Sequence, residues 1–202
     1  MGAIGDPYVS LEELKDYLKM TGKDQYDDVL QDALASVTTE IEGRCNRQFN
    51  RAATASQRSY YPDSHCAVKV HDFYVKTDLA VTLNGNTLVE DTDFELQPLD
   101  GVVDGQPGWP YWIIKLLNGR RFNRTQNRGG APLKVTARWG WTAVPAPIKQ
   151  ACLIMAAETF QIKDAPFGVA GMDAFGSALR VRDNAMAASK LSPYVRDRFL
   201  VG

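Results

Sequence analysis

A chain of 202 residues with 45% hydrophobic and 23% charged residues has room for one sizeable core, or one core with an elaborated insertion, and too little for two full enzyme domains. Its composition excludes a disordered or fibrous chain, and a net charge of −1 argues against a general nucleic-acid binder. Charge is segregated along the chain: Met1 to Glu42 carries ten acidic residues against three lysines, a net of −7, whereas Lys115 to Arg138 carries seven basic residues and no acidic one. Opposite blocks of this kind can complement one another between neighbouring copies.

The N-terminus has no basic and apolar leader pattern, so secretion is not expected, and no apolar run approaches the roughly 20 residues of a membrane span. Ser10-Leu11-Glu12-Glu13 is a capping-box pattern that predicts a short helix over Ser10–Lys19, with Leu11, Leu14, Tyr17 and Leu18 on one stripe. Gly22 then breaks the run. A second helix is predicted over Gln25–Arg44, with acidic residues at its start and apolar residues from Tyr26 to Cys45 at helical period. Its polar face is Asp28, Gln31, Asp32, Ser36, Thr39, Glu40 and, just beyond it, Arg47.

From Gln57 to Trp141 the period changes to that of short antiparallel strands: Ser59–Tyr61, Ala67–Val70, Ala80–Leu83, Phe94–Gln97, Trp112–Leu117 and Leu133–Trp139. Asn84-Gly85 is the strongest hairpin signal, because a type I′ turn needs positive φ at both central positions. Helical period returns at Pro145 with a stripe of mostly small residues, Ile148, Ala151, Cys152, Met155, Ala156 and Thr159, and should stop by Asp164 because Pro166 disfavours helix before it. A glycine-rich stretch follows with Phe167, Val169, Met172 and Phe175, apolar residues expected at an oligomer or partner interface. Ala178–Arg182 alternates like a strand, Asp183–Lys190 fits a short helix, and Pro193 breaks the chain before the tail.

The pattern gives an α+β fold: a small helical bundle from segments 1–56 and 142–202, with a β-rich antiparallel insertion, 57–141, between them. Catalytic and cofactor chemistry leaves little trace. His65 and His71 are the only histidines, and with Cys66 they match no metal-ligand spacing. A Cys66–His71 nucleophile pair, or a hydrolase using His71, Asp72 and Cys66, lacks a recognisable oxyanion feature. Phosphate-loop, dinucleotide and serine-elbow motifs are all missing, so no cofactor, no metal and no enzymatic activity are expected. Cys45, Cys66 and Cys152 fit no disulfide framework and are expected as reduced thiols. Arg120, Arg121, Arg124 and Arg128 form a basic loop that can meet phosphates without reading sequence, or meet an acidic protein surface.

The order Tyr8-Val9-Ser10-Leu11-Glu12-Glu13-Leu14, then Ile41-Glu42-Gly43-Arg44-Cys45-Asn46-Arg47, then Trp139-Gly140-Trp141 through Val144-Pro145-Ala146-Pro147, then Pro166-Phe167-Gly168 and Leu191-Ser192-Pro193-Tyr194, covers about half of the chain. It resembles the head-to-tail connector (adaptor) proteins of long-tailed bacteriophages and gene transfer agents. The resemblance implies a structural virion protein at the neck, made in the host cytoplasm. It further implies a homo-oligomeric ring, usually of twelve copies, beneath the portal, with packaged DNA passing through the lumen without sequence readout. Implied partners are the portal protein, the next neck or tail-completion protein and the capsid protein, with no membrane. The family's portal-engaging C-terminal region carries over to Ser192, Pro193, Tyr194, Arg196, Arg198, Phe199 and Leu200. On that basis, removal of Tyr194–Gly202 should block docking and spare the fold. The strand-rich 57–141 segment departs from the compact members. A head-completion stopper and a basic-loop nucleic-acid-binding module are the alternative functions.

Overall fold

The computed structural model describes residues 3–62, 64–122, 132–162, 169–172, 178–180 and 184–196. Among the described residues its architecture is α+β: four helices packed on one another and a six-stranded antiparallel sheet. Helix α1 covers Leu11–Tyr17 and starts with the capping box expected from the sequence: the Glu13 amide donates to Ser10 Oγ at 3.2 Å, and the Ser10 amide donates to Glu13 Oε2 at 2.9 Å. Helix α2, Asp27–Cys45, follows a single 3-10 turn and buries Leu30, Ala33, Leu34, Val37, Ile41 and Cys45. It ends because Asn46 adopts the left-handed conformation, φ 49°, one of the few non-glycine residues that does so cheaply.

Strands β1 (Ser56–Tyr60), β2 (Ala67–Leu83), β3 (Asn86–Leu88), β4 (Phe94–Gln97), β5 (Tyr111–Leu116) and β6 (Leu133–Trp139) form the sheet, in the order β1-β6-β2-β5-β4 with β3 also paired to β2. Asn84 and Gly85 both take positive φ, 51° and 84°, as the type I′ turn requires. In β6, Leu133, Val135, Ala137 and Trp139 are buried while the residues between them are more open, the alternation of a sheet with one solvated face.

The two short strands expected at Ala67–Val70 and Ala80–Leu83 prove to be the ends of one 17-residue strand. The polar stretch between them is not a turn. It is a bulged length of β2, with Asp78 at φ 65° and the register to β6 shifting between Val75 and Ala80. Arg138 of β6 closes over this irregularity with two hydrogen bonds to Asp78 Oδ2, at 2.9 and 2.7 Å.

Helix α3, Ala146–Ile162, lies against α2 with Ile148, Ala151, Cys152 and Ala156 fully buried, so the small side chains serve close packing within the subunit. Strands β7 (Val169–Met172) and β8 (Ala178–Arg180) pair antiparallel. Helix α4, Ala185–Leu191, is capped by Asn184, whose side chain accepts from the Met186 and Ala187 amides. Among the described residues the buried apolar side chains form two clusters. One joins residues from Tyr8 to Phe49 with Trp141 to Phe160, Ala187 and Leu191; the other lies in the sheet around Phe73, Ile114 and Trp139. No described helix is long and apolar enough to cross a membrane.

The sheet enters the helical body through Gly140. Its amide donates to the Asp72 carbonyl at 2.7 Å, its φ is +100°, and a Cβ there would lie 1.9 Å from the Asn50 carbonyl oxygen. No side chain fits without moving the 49–51 backbone. Gly140→Ala is therefore expected to cost about 3 kcal/mol or more, read as a lowered midpoint in equilibrium urea unfolding; an unchanged midpoint would show that this close approach carries no stability.

Candidate functional site

The triad considered from sequence is not assembled. Cys66 is exposed and its sulfur neighbours only Ser64 Oγ among the hydrogen bonds formed by described residues, whereas His71 lies five residues further along an extended chain, about 16 Å at strand rise. The His71 Nδ1 is paired with the Tyr60 hydroxyl at 2.8 Å, and that hydroxyl also accepts from the His71 amide at 3.2 Å. Burial, reinforced by the guanidiniums of Arg58 and Arg196, pushes the imidazole down to about 4, so the ring is neutral at physiological pH. Burial also raises the thiols of Cys45 and Cys152 to about 11, which makes them packing groups and not nucleophiles. Among the described residues no group of three His, Cys, Asp or Glu side chains converges as a metal site would require.

Asp72 instead belongs to a buried charge cluster. Its carboxylate, 2% exposed, receives Arg47 Nη1 at 2.8 Å and Arg196 Nη1 at 3.0 Å on Oδ1, and Trp141 Nε1 at 3.0 Å on Oδ2. The Arg47 guanidinium lies 4.5 Å from the Trp112 ring centroid, 5.6 Å from that of Trp109 and 5.7 Å from that of Trp141. Arg196 also donates to the carbonyls of Val70 and Asn46, both at 3.2 Å, and its own amide donates to the Cys45 carbonyl. Tyr194 stacks on Trp109 at 5.4 Å and 17°, and contacts Phe49 and Trp141.

Two residues therefore change role. Arg47, placed on the polar surface by extending helical period past Cys45, is 7% exposed, because the left-handed turn at Asn46 redirects the chain inward. Arg196, taken as a tail anchor, is 8% exposed and committed inside the subunit, with Tyr194 half-buried beside it. Removal of Tyr194–Gly202 would leave Asp72 one arginine short and unstack Trp109, so it is expected to lower stability as well as remove the tail. No local pattern announces this, since the partners lie 124 residues apart. The clue available in the sequence was the concentration of tryptophan at 109, 112, 139 and 141, faces on which an arginine stacks readily.

The other candidate residues are dispersed. Ser192 and Pro193 are exposed in a 3-10 turn before Tyr194, while Arg198, Phe199 and Leu200 lie outside the described residues. Phe167 and Phe175 also lie outside them; Val169 and Met172 stand at the ends of β7. Arg120 pairs with Asp93 at 2.6 Å, Arg121 is exposed, and Arg124 and Arg128 lie outside the described residues. Next to the Asp72 cluster opens a cavity of about 540 Å³ lined by Glu42, Arg47, Arg58, His71, Asp72, Trp139 and Arg196. A larger groove of about 780 Å³ runs between the N-terminal arm, α2 and residues 141–144.

The whole chain is similar in fold to chains of two solved neck assemblies. For one in the neck of an empty gene transfer agent particle computed with C6 symmetry, the TM-score is 0.54 at 17% identity, covering 100% of this chain and 96% of that one. For one in the neck of a native particle computed with C12 symmetry, it is 0.50 at 17% identity, covering 100% and 99%. No family model matches the chain, and no curated protein matches it in sequence.

Breaking the cluster is expected to be costly in a definite order. Asp72→Asn strands two buried guanidiniums and should lose about 3–5 kcal/mol in urea unfolding, whereas Arg196→Met leaves Arg47 and Asp72 paired and should lose less; the reverse order would remove Asp72 as the hub. Stability should also fall as pH drops from about 6.5 to about 4, because across that window the unfolded chain binds the His71 proton and the folded chain does not. Below that window this contribution is gone. A His71→Gln variant should show a flatter profile, and an unchanged slope would assign the pH dependence elsewhere.

Proposed function

We propose that this protein is a structural component of the neck of a tailed particle, a head-to-tail adaptor that forms a ring beneath the portal and joins capsid to tail around a central DNA channel. The observation that carries this reading is a fold likeness that spans 100% of the chain and more than nine-tenths of chains in gene transfer agent necks, not a single module of them. The connector-like order of Ser10–Leu14, Trp139–Pro147 and Leu191–Tyr194 agrees with it. So does the interior: its most elaborate polar feature ties remote segments together and aligns no nucleophile, base or metal ligand.

A rigid subunit suits such a role, because a ring repeats one heterologous contact and any slack accumulates around the circle. Clamped at Arg196, the chain continues into Asp197–Gly202, and these last residues, with Arg198, Phe199 and Leu200 among them, are the segment we assign to the portal, together with exposed Ser192 and Pro193. The aromatic and arginine side chains there are of the types that dominate binding energy at interfaces. The segment with Phe167, Val169, Met172 and Phe175 is assigned to contacts with neighbouring copies or the next neck protein. Arg120 is already paired with Asp93, which favours a protein-facing loop over a DNA-binding module.

Native mass spectrometry of the purified protein, alone and with portal, tests the assignment: ring-sized species or portal-bound complexes are expected, and a strict monomer that never binds portal refutes it. A chain truncated after Arg196 should keep the wild-type unfolding midpoint and lose portal binding. Retained binding would move the docking surface away from the tail.

A further inference from the structure

The cavity beside Asp72 holds more positive charge than the described carboxylates around it neutralise. Three guanidiniums line it, Arg47, Arg58 and Arg196, against the carboxylates of Asp72 and Glu42. Both Asp72 oxygens are occupied by the two buried arginines and Trp141, and Glu42 Oε1 accepts from the Tyr8 hydroxyl at 3.0 Å. Arg58, on the edge strand β1, sits 4.4 Å from the centroid of the Trp139 ring, and no carboxylate pairs with it among the described residues. The Arg47 Nε is buried with no hydrogen-bond partner among the described residues. A guanidinium held by an aromatic face and partly withdrawn from water is preorganised to receive a carboxylate.

The complementary group lies at the far end of α2. Asp28 and Asp32 are exposed, one turn apart on the same face, and neither joins an ion pair among the described residues, whereas adjacent Asp24 and Asp27 are both held by Lys15. Fourteen positions separate Asp28 from Glu42 at the cavity rim, about 21 Å along the helix, so this pair lies well away from its own subunit's cavity. We propose that Asp28 and Asp32 of one copy dock at Arg58 and the mouth of this cavity on the next copy, forming a carboxylate–guanidinium contact that repeats around the ring. Two different surfaces, one toward each end of one rigid helix, are what a heterologous interface needs. The inference rests on the ring-forming reading above.

The test uses the full chain in sedimentation velocity and native mass spectrometry. Wild type is expected to form rings, while Asp28→Arg/Asp32→Arg and Arg58→Glu should each weaken self-association by about tenfold or more. Each variant keeps one intact surface and the two charge-reversed surfaces are complementary to each other, so an equimolar mixture of the two should recover oligomers that neither forms alone. Circular dichroism checks that both are folded, and Arg58→Gln replaces Arg58→Glu if the charge reversal disturbs the sheet. Wild-type assembly by either folded variant, or a mixture that stays monomeric, overturns the proposal and leaves the ring-forming reading standing; a wild type that is monomeric at every concentration removes both. If Arg58→Glu assembles normally and instead loses duplex DNA binding at low salt, the ligand is phosphate and the proposal fails.

Discussion

One carboxylate shared by two arginines organises this subunit. Asp72 sits in the long strand β2, Arg47 just past the end of α2, and Arg196 five positions past the end of α4 at Leu191, yet all three meet where water is nearly excluded. A buried ion pair contributes little net stability by itself, because desolvation offsets most of its attraction. What it contributes is intolerance of alternatives: if Asp72 leaves, two guanidiniums are left without compensation in a low-dielectric interior, and if either arginine leaves, the carboxylate loses one of its two pairs. The N-terminal helices, the sheet and the C-terminal segment are thereby forced into one arrangement.

The surroundings of the cluster make that arrangement stiff. Trp109, Trp112 and Trp141 surround the Arg47 guanidinium, Tyr194 stacks on Trp109, and Gly140 brings the end of β6 against the backbone of Asn50 so closely that only a glycine fits. Nearby, the N-terminal arm is strapped down by the Tyr8 hydroxyl, which donates to Glu42 Oε1 and accepts from the Phe49 amide at 3.2 Å. These contacts consume polar groups of chemically reactive types. The polar groups of His71 and Asp72 and the thiols of Cys45 and Cys152 are taken up by pairing and packing inside the subunit.

The excess of one guanidinium is the part that packing does not absorb. In a protein that assembles, a charge left incompletely matched inside a subunit can be matched by the next one, and the acidic N-terminal block supplies the opposite sign. On the proposed interface the acidic pair Asp28 and Asp32 and the unmatched guanidinium lie toward opposite ends of α2.

How much of this was legible depends on the range of the interactions involved. The capping box at Ser10, the period of α2 and the Asn84-Gly85 turn were readable because each is decided within a few residues, by backbone amides, helix geometry and the sign of φ. The division into a helical body and a strand-rich segment was readable for the same reason, since hydrophobic period is local. Three features were not. The polar residues Lys76, Thr77 and Asp78 look like a connection, but the flanking pairing with β6 and the Arg138–Asp78 contact keep them in the strand. Arg47 looks exposed only if the helix continues past Asn46, and Arg196 looks like part of a free tail until Asp72, 124 positions away, is folded against it. The sequence by itself determined the elements, the turns and the imbalance of charge; the tertiary structure alone decided which charges are buried together, because desolvation and pairing depend on groups that only the folded chain brings into contact.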